Sequence, residues 1–76
     1  MMQLNWMQKS GFCDRLRQAR LDAGIHVNMA AAELGIHPPN ICRYERGEMA
    51  PSIKRVYELA QLYGCSIDWL CGGVKE

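Results

Sequence analysis

Apolar residues recur along most of the chain at intervals of three and four, the period of an α-helix lying against a core. Phe12, Leu16, Ala19 and Ala23 open the series. They predict a first helix with Ser10 as its N-cap and Gly24 at its end. Arg15, Arg17, Arg20 and Asp22 decorate its other sides. The stretch VNMAAAEL, from Val27 to Leu34, reads as a second, short helix whose alanines let a neighbour approach closely. Gly35 ends it, and Ile36 fixes the turn against the core. Ile41 and Tyr44, three apart, give a third helix an inward face, with Asn40 and Arg43 on another; Gly47 stops it. Pro51 and Ser52 open a fourth, whose stripe is Ile53, Val56, Tyr57, Ala60 and Tyr63, joined by Leu59. Gly64 closes it. Ser66 caps a last short helix that turns Ile67 and Leu70 inward and ends at Gly72-Gly73. Five helices with short joints and no strand predict a compact all-α domain.

Length and composition narrow this picture. Seventy-six residues hold one small domain, and chains of that size are often helped by oligomerisation. Apolar content of 49% and charged content of 22% exclude a disordered chain. No apolar run reaches membrane-spanning length, and the N-terminus lacks the pattern of a secretory signal. A cytoplasmic protein without a membrane partner is expected. Residues 1–9 read as an extension whose Trp6 and Met7 pack on the domain or on a second subunit; residues 10–76 form the domain. A net charge of +1 does not by itself point to nucleic acid.

The four cysteines, Cys13, Cys42, Cys65 and Cys71, include no C-x-x-C pair. They are expected to act as small apolar residues rather than as zinc ligands or disulfides. Cys65 and Cys71 should be buried and Cys42 partly exposed. His26 and His37 have no acid or nucleophile at useful spacing, and there is no phosphate-binding glycine loop. No enzyme, metal or cofactor is expected.

Ala31, Gly35 and Ile41 stand four and six apart. Two helices crossing at a tight turn need a small residue at the crossing and a residue tolerant of positive φ in the turn. They also need a branched apolar anchor on the second helix. Leu34, Ile36 and Tyr44 supply the supporting apolar positions, so a helix-turn-helix is read from Val27 to Arg46. Around it stand RLRQARLDAG, AAELGI, ICRYERGE, PSIKRVYELAQLYG and SIDWL. On these words the chain resembles the lambda-repressor-like, Cro-type (XRE-like) helix-turn-helix family, from Phe12 to Gly72. The resemblance implies a five-helix domain whose second and third helices grip double-stranded DNA, usually as a symmetric dimer. It also implies a structural ion pair between Arg20 and Glu45.

In that family the third helix lies in the major groove with its N-terminal residues on base edges. The matching positions are Pro38, Pro39, Asn40 and Arg43, with His37 just before. Here the chain departs from the pattern, because proline has no side-chain donor or acceptor. A residue before proline avoids the α region, so the helix is expected to start at Pro39. Readout then falls on Asn40 for adenine and Arg43 for guanine, with a proline ring against a thymine methyl and His37 as helper. Val27 departs too, standing where a polar, phosphate-holding residue is usual. Phosphate contacts are assigned to Asn28, Arg46, Ser52, Lys54 and the backbone N–H groups opening the second helix. Trp69, off the Ile67–Leu70 face, and Trp6 are the candidate dimer surface. Tyr57 and Tyr63 are expected in the core. The leading expectation is a sequence-specific transcriptional regulator, a repressor acting as a homodimer on a palindromic operator. It has no room for a ligand-sensing domain and would be switched by concentration, degradation or a regulatory protein partner. Pro38-Pro39, Val27 and the weak charge motivate an alternative, a protein-interaction module or antitoxin that kept the fold with weakened readout.

Overall fold

The structure, a computed structural model, describes residues 11–72. The expected extension with Trp6 and Met7, the Ser10 cap and Gly73 lie outside these residues. Five helices follow one another: α1 (Phe12–Asp22), α2 (Val27–Leu34), α3 (Pro38–Arg46), α4 (Ile53–Tyr63) and α5 (Ile67–Leu70). Among the described residues there is no strand. No helix is long and apolar enough to cross a membrane.

Three of the five helices start behind a side chain that caps them. Ser52 and Ser66 turn their hydroxyls onto the backbone N–H groups of Arg55 and Trp69, at 3.1 and 3.0 Å, as serine N-caps do. The cap of α2 is less usual: His26 accepts from the Asn28 N–H through its ring Nδ1 at 3.1 Å. At α1 the N-cap position belongs to Gly11 and carries no side-chain bond, which corrects the expected Ser10.

The core collects what the 3.6-residue period pointed inward. Phe12 and Leu16 of α1, Ala30 and Ala31 of α2, Ile41 and Tyr44 of α3, Val56, Leu59, Ala60 and Tyr63 of α4, and Leu70 of α5 are all buried. Four residues make α5 too short to stand alone. It is held by its serine cap and by Leu70, whose complete burial contributes roughly 1.5–3 kcal/mol. Arg15 adds a bond from α1, donating from Nη1 to the Trp69 carbonyl at 2.6 Å.

Several inward expectations are corrected. Ala23 lies just past the end of α1 and is exposed. Ile53 is 87% exposed and Tyr57 53%, because they stand at the edge of the α4 face that buries Val56, Leu59, Ala60 and Tyr63. Ile67 is also exposed, and only Leu70 of α5 is fully inward. All four cysteines are free; Cys65 and Cys42 are half-buried, while Cys71 is exposed rather than buried, since α5 ends at Leu70.

Candidate nucleic-acid interface

The turn between α2 and α3 is built by its backbone. Gly35 takes the left-handed conformation, φ 69°. Its N–H and that of Ile36 return to the carbonyls of Ala32 and Ala31, at 3.3 and 3.0 Å, which satisfies the end of α2. A Cβ on Gly35 would meet nothing within 4 Å. Backbone conformation, not space, therefore requires glycine there. Ala31 at the crossing and Ile41 on α3 are both buried, in the roles their spacing predicted.

Residue α3 begins with is Pro38, not Pro39: His37 is its extended N-cap at φ −72°, ψ 131°, and both prolines stand in the first turn. The restriction on residues before proline is met at His37 and overridden at Pro38, whose ring already fixes a helical φ. The first turn closes tightly, with the Asn40 N–H donating to the His37 carbonyl at 2.9 Å. His37, Pro39 and Arg43 are exposed, while Pro38 and Asn40 are half-buried. Asn40 and Arg43 meet: Arg43 Nη1 donates to Asn40 Oδ1 at 3.2 Å.

Beneath this surface lies the ion pair that the resemblance implied. Arg20 Nε and Nη2 donate to the two Glu45 carboxylate oxygens at 2.7 and 3.1 Å, and Nη1 donates to the Ile25 carbonyl at 3.1 Å. The two side chains are only 9% and 7% exposed. The hydrogen bond to Glu45 pushes the Arg20 guanidinium further up, against the opposing effect of burial. The fork ties α1 to the end of α3 and so orients the whole helix. Tyr63 packs nearby. Burial holds its phenol well above the usual tyrosine range, and its hydroxyl has no protein hydrogen-bond partner.

The phosphate candidates divide. Asn28, Ser52, Lys54 and Arg46 are exposed. Arg46 is forked onto Glu48 at 3.0 and 3.3 Å, so part of its charge is already answered. Ser52 uses its oxygen as acceptor for the α4 cap and keeps its proton to donate. The expected free N–H groups at the start of α2 are reduced by one, because His26 takes that of Asn28. Trp69 is half-buried with the Arg15 guanidinium 5.5 Å above its ring, a cation–π contact. Large apolar side chains stand uncovered at Leu21, Met29, Ile53, Tyr57 and Ile67, and of these Ile53 and Ile67 line a shallow groove with Pro51, Val56 and Cys71.

Three residues were missed from the sequence. Arg15 grips α5, His26 caps α2, and Arg55 spans from Glu58 at 2.9 Å to the Leu34 carbonyl at 3.5 Å, closing the C-terminus of α2 from α4. Only the Arg55–Glu58 pair left a signal, its i,i+3 spacing on a helix. Among the described residues no three His, Cys, Asp or Glu side chains are grouped to hold a metal.

A family described as helix-turn-helix matches residues 16–70. The chain is 33% identical over 63 residues to the HTH-type transcriptional regulator DdrOP3 of Deinococcus deserti, covering 83% of this chain and 49% of that one. It is 38% identical over 58 residues to the HTH-type transcriptional regulator ImmR of Bacillus subtilis, covering 76% and 46%. It is 31% identical over 61 residues to the uncharacterized HTH-type transcriptional regulator YobD of Bacillus subtilis, covering 80% and 54%. The chain thus spans about half the length of these curated relatives. No solved structure matches it. The match runs from Leu16 in α1 to Leu70 in α5 and encloses the Ala31–Gly35–Ile41 turn: the chain belongs to the XRE-type helix-turn-helix family of transcriptional regulators, in its lambda-repressor-like five-helix form.

Proposed function

We propose that this protein is a sequence-specific DNA-binding repressor, cytoplasmic, acting as a dimer on a palindromic operator. The observation that carries the reading is the outer face of α3. Its polar side chains, Asn40 and Arg43, stand side by side on a helix fixed by the glycine turn and the buried Arg20–Glu45 fork. Such a helix fits the major groove, where Asn40 and Arg43 reach base edges with His37, Pro38 and Pro39. Asn28, Ser52 and Lys54, with Arg46 beside Glu48, hold the flanking phosphates.

A second copy is the occupant we assign to the groove at Ile53 and Ile67, with the exposed Tyr57 one turn further along α4. Ile53 and Ile67 line it with Pro51, Val56 and Cys71, so it is the apolar surface a second copy can cover. The molecule measures 35 × 29 × 20 Å. A dimer reading a palindrome needs its two α3 helices about 34 Å apart, one turn of DNA. Trp69, engaged by Arg15, stands outside this face.

The test is a titration with DNA from upstream of the protein's own gene at two salt concentrations. Saturable, salt-sensitive, sequence-dependent binding is expected. Weak binding without preference would favour the other reading, a protein-interaction module or antitoxin. The observations behind that reading are the two prolines at the head of α3 and the Arg46–Glu48 fork.

A further inference from the structure

Of the side chains assigned to phosphate, Asn28 and Ser52 are neutral, and only Arg46 and Lys54 carry charge. Arg46 does not stand alone. Its Nε and Nη2 donate to the two carboxylate oxygens of Glu48 at 3.0 and 3.3 Å. The backbone brings Glu48 there. Gly47 ends α3 in the left-handed conformation, φ 76°, and the Glu48 N–H returns to the Arg43 carbonyl at 2.9 Å. That closure carries Glu48 back beside the last turn of α3. The two side chains are 61% and 55% exposed, so the pair is open to a strand of DNA lying against it.

The fork engages the Nε hydrogen and one on Nη2. The Nη1 hydrogens and the second on Nη2 remain for a phosphate. What Glu48 takes from DNA is therefore charge, not donors. The difference matters because much of the grip on phosphates comes from released counterions. Each phosphate neutralised by a cation adds about 0.9 to the salt slope. A phosphate met by a neutral Arg–Glu pair gains hydrogen bonds but keeps most of its counterions. The Glu48 carboxylate also lies 3.0 Å from the guanidinium. That is well inside the screening length of about 8 Å at physiological salt, so it repels the same strand.

Resting on the DNA-reading proposal, we infer that Glu48 is a positioning residue that limits this protein's grip on DNA. It holds Arg46 by its Nε edge, cancels its charge at the backbone and leaves Lys54 as the full cation among the assigned phosphate contacts. One domain then grips half an operator weakly, and occupancy depends on both halves being filled together.

The experiment measures affinity for DNA from upstream of the protein's own gene over a range of salt. It compares the whole chain with Glu48→Gln, Arg46→Ala and the two combined, with circular dichroism confirming that each variant folds. Per bound domain, Glu48→Gln should bind about two- to fivefold tighter at a fixed salt, the scale of one exposed ion pair. It should also steepen the slope of log K against log salt by up to about 0.9. Arg46→Ala should flatten that slope by about 0.9 in the Glu48→Gln background and by less than half as much in the parent. Equal flattening in the two backgrounds means that Glu48 leaves the Arg46 charge untouched, and it overturns this inference. A Glu48→Gln variant no tighter than the parent overturns it too. Either result leaves DNA reading intact. Absent or sequence-independent binding by the parent and by Glu48→Gln alike overturns the DNA-reading proposal, and this inference with it.

Discussion

At the scale of single residues, burial separates two polar groups that the sequence treats alike. Arg20 and Glu45 are buried and fully engaged with each other. Removing one partner strands the other charge, at a cost of roughly 3–5 kcal/mol. A domain of this length holds only about 4–11 kcal/mol in all. Arg20→Ala or Glu45→Ala should therefore unfold at a much lower urea midpoint, or not fold. Tyr63 is the opposite case, buried with no protein partner for its hydroxyl. Tyr63→Phe should match or exceed the parent in a urea melt near neutral pH, since no bond is lost. The sign of its pH dependence follows from burial. The folded phenol titrates above its unfolded counterpart, so the folded state keeps a proton the unfolded state has released. Stability is full below the ordinary tyrosine value of about 10 and falls above it, by up to about 1.4 kcal/mol per pH unit. The difference between parent and Tyr63→Phe across pH 9–11, measured by denaturation (about the range set by that value), should show this slope; parallel curves would refute it. The ion pair was legible only through the Y-E-R-G word. The unpartnered hydroxyl was not, because a helical stripe says that a side chain is inside and nothing about what its tip meets.

At the scale of elements, the sequence carried most of the fold because local chemistry and burial agree. The α2 and α3 ends fall at Gly35 and Gly47, and α4 and α5 start behind Ser52 and Ser66. The failures share one cause: a period marks a face, but only tertiary packing decides how much of that face is covered. Ile53, Tyr57 and Ile67 fit the stripes and still face out. Pro38 failed differently, since a preference against α conformation before proline is a bias that one fixed helical φ outweighs. The turn itself can be tested. Gly35→Ala should lose roughly 1–2 kcal/mol from left-handed strain alone, because its Cβ has open space. Gly35→Asn should lose less, since asparagine tolerates that conformation. Equal losses in thermal or urea melts would mean that crowding, not φ, is what matters. His26→Ala should cost about 1 kcal/mol by the same measurement, the worth of an N-cap.

At the scale of the whole molecule, the Ile53–Tyr57–Ile67 face and the α3 surface make one joint demand on DNA. If the apolar face joins two copies, the two α3 helices are locked in relative position and each operator half must arrive on the same side of the duplex. Ile53→Glu puts a charge into the centre of that face without touching the core, because Ile53 is already exposed. The variant should fold as the parent does, sediment as a monomer at concentrations where the parent is a dimer, and bind a two-half-site operator more weakly. The decisive measurement adds about half a helical turn, roughly five base pairs, between the half-sites. The parent should lose most of its affinity, since a fixed dimer can then reach only one half. Ile53→Glu should bind the original and the lengthened operator equally, each domain finding its own half-site. Lys54→Ala gives the comparison: next door on α4 but assigned to phosphate, it should keep the spacing requirement while weakening all sequences alike and lowering the salt slope by about 0.9. If parent and Ile53→Glu respond identically to the inserted half-turn, the groove at Ile53 does not join two copies.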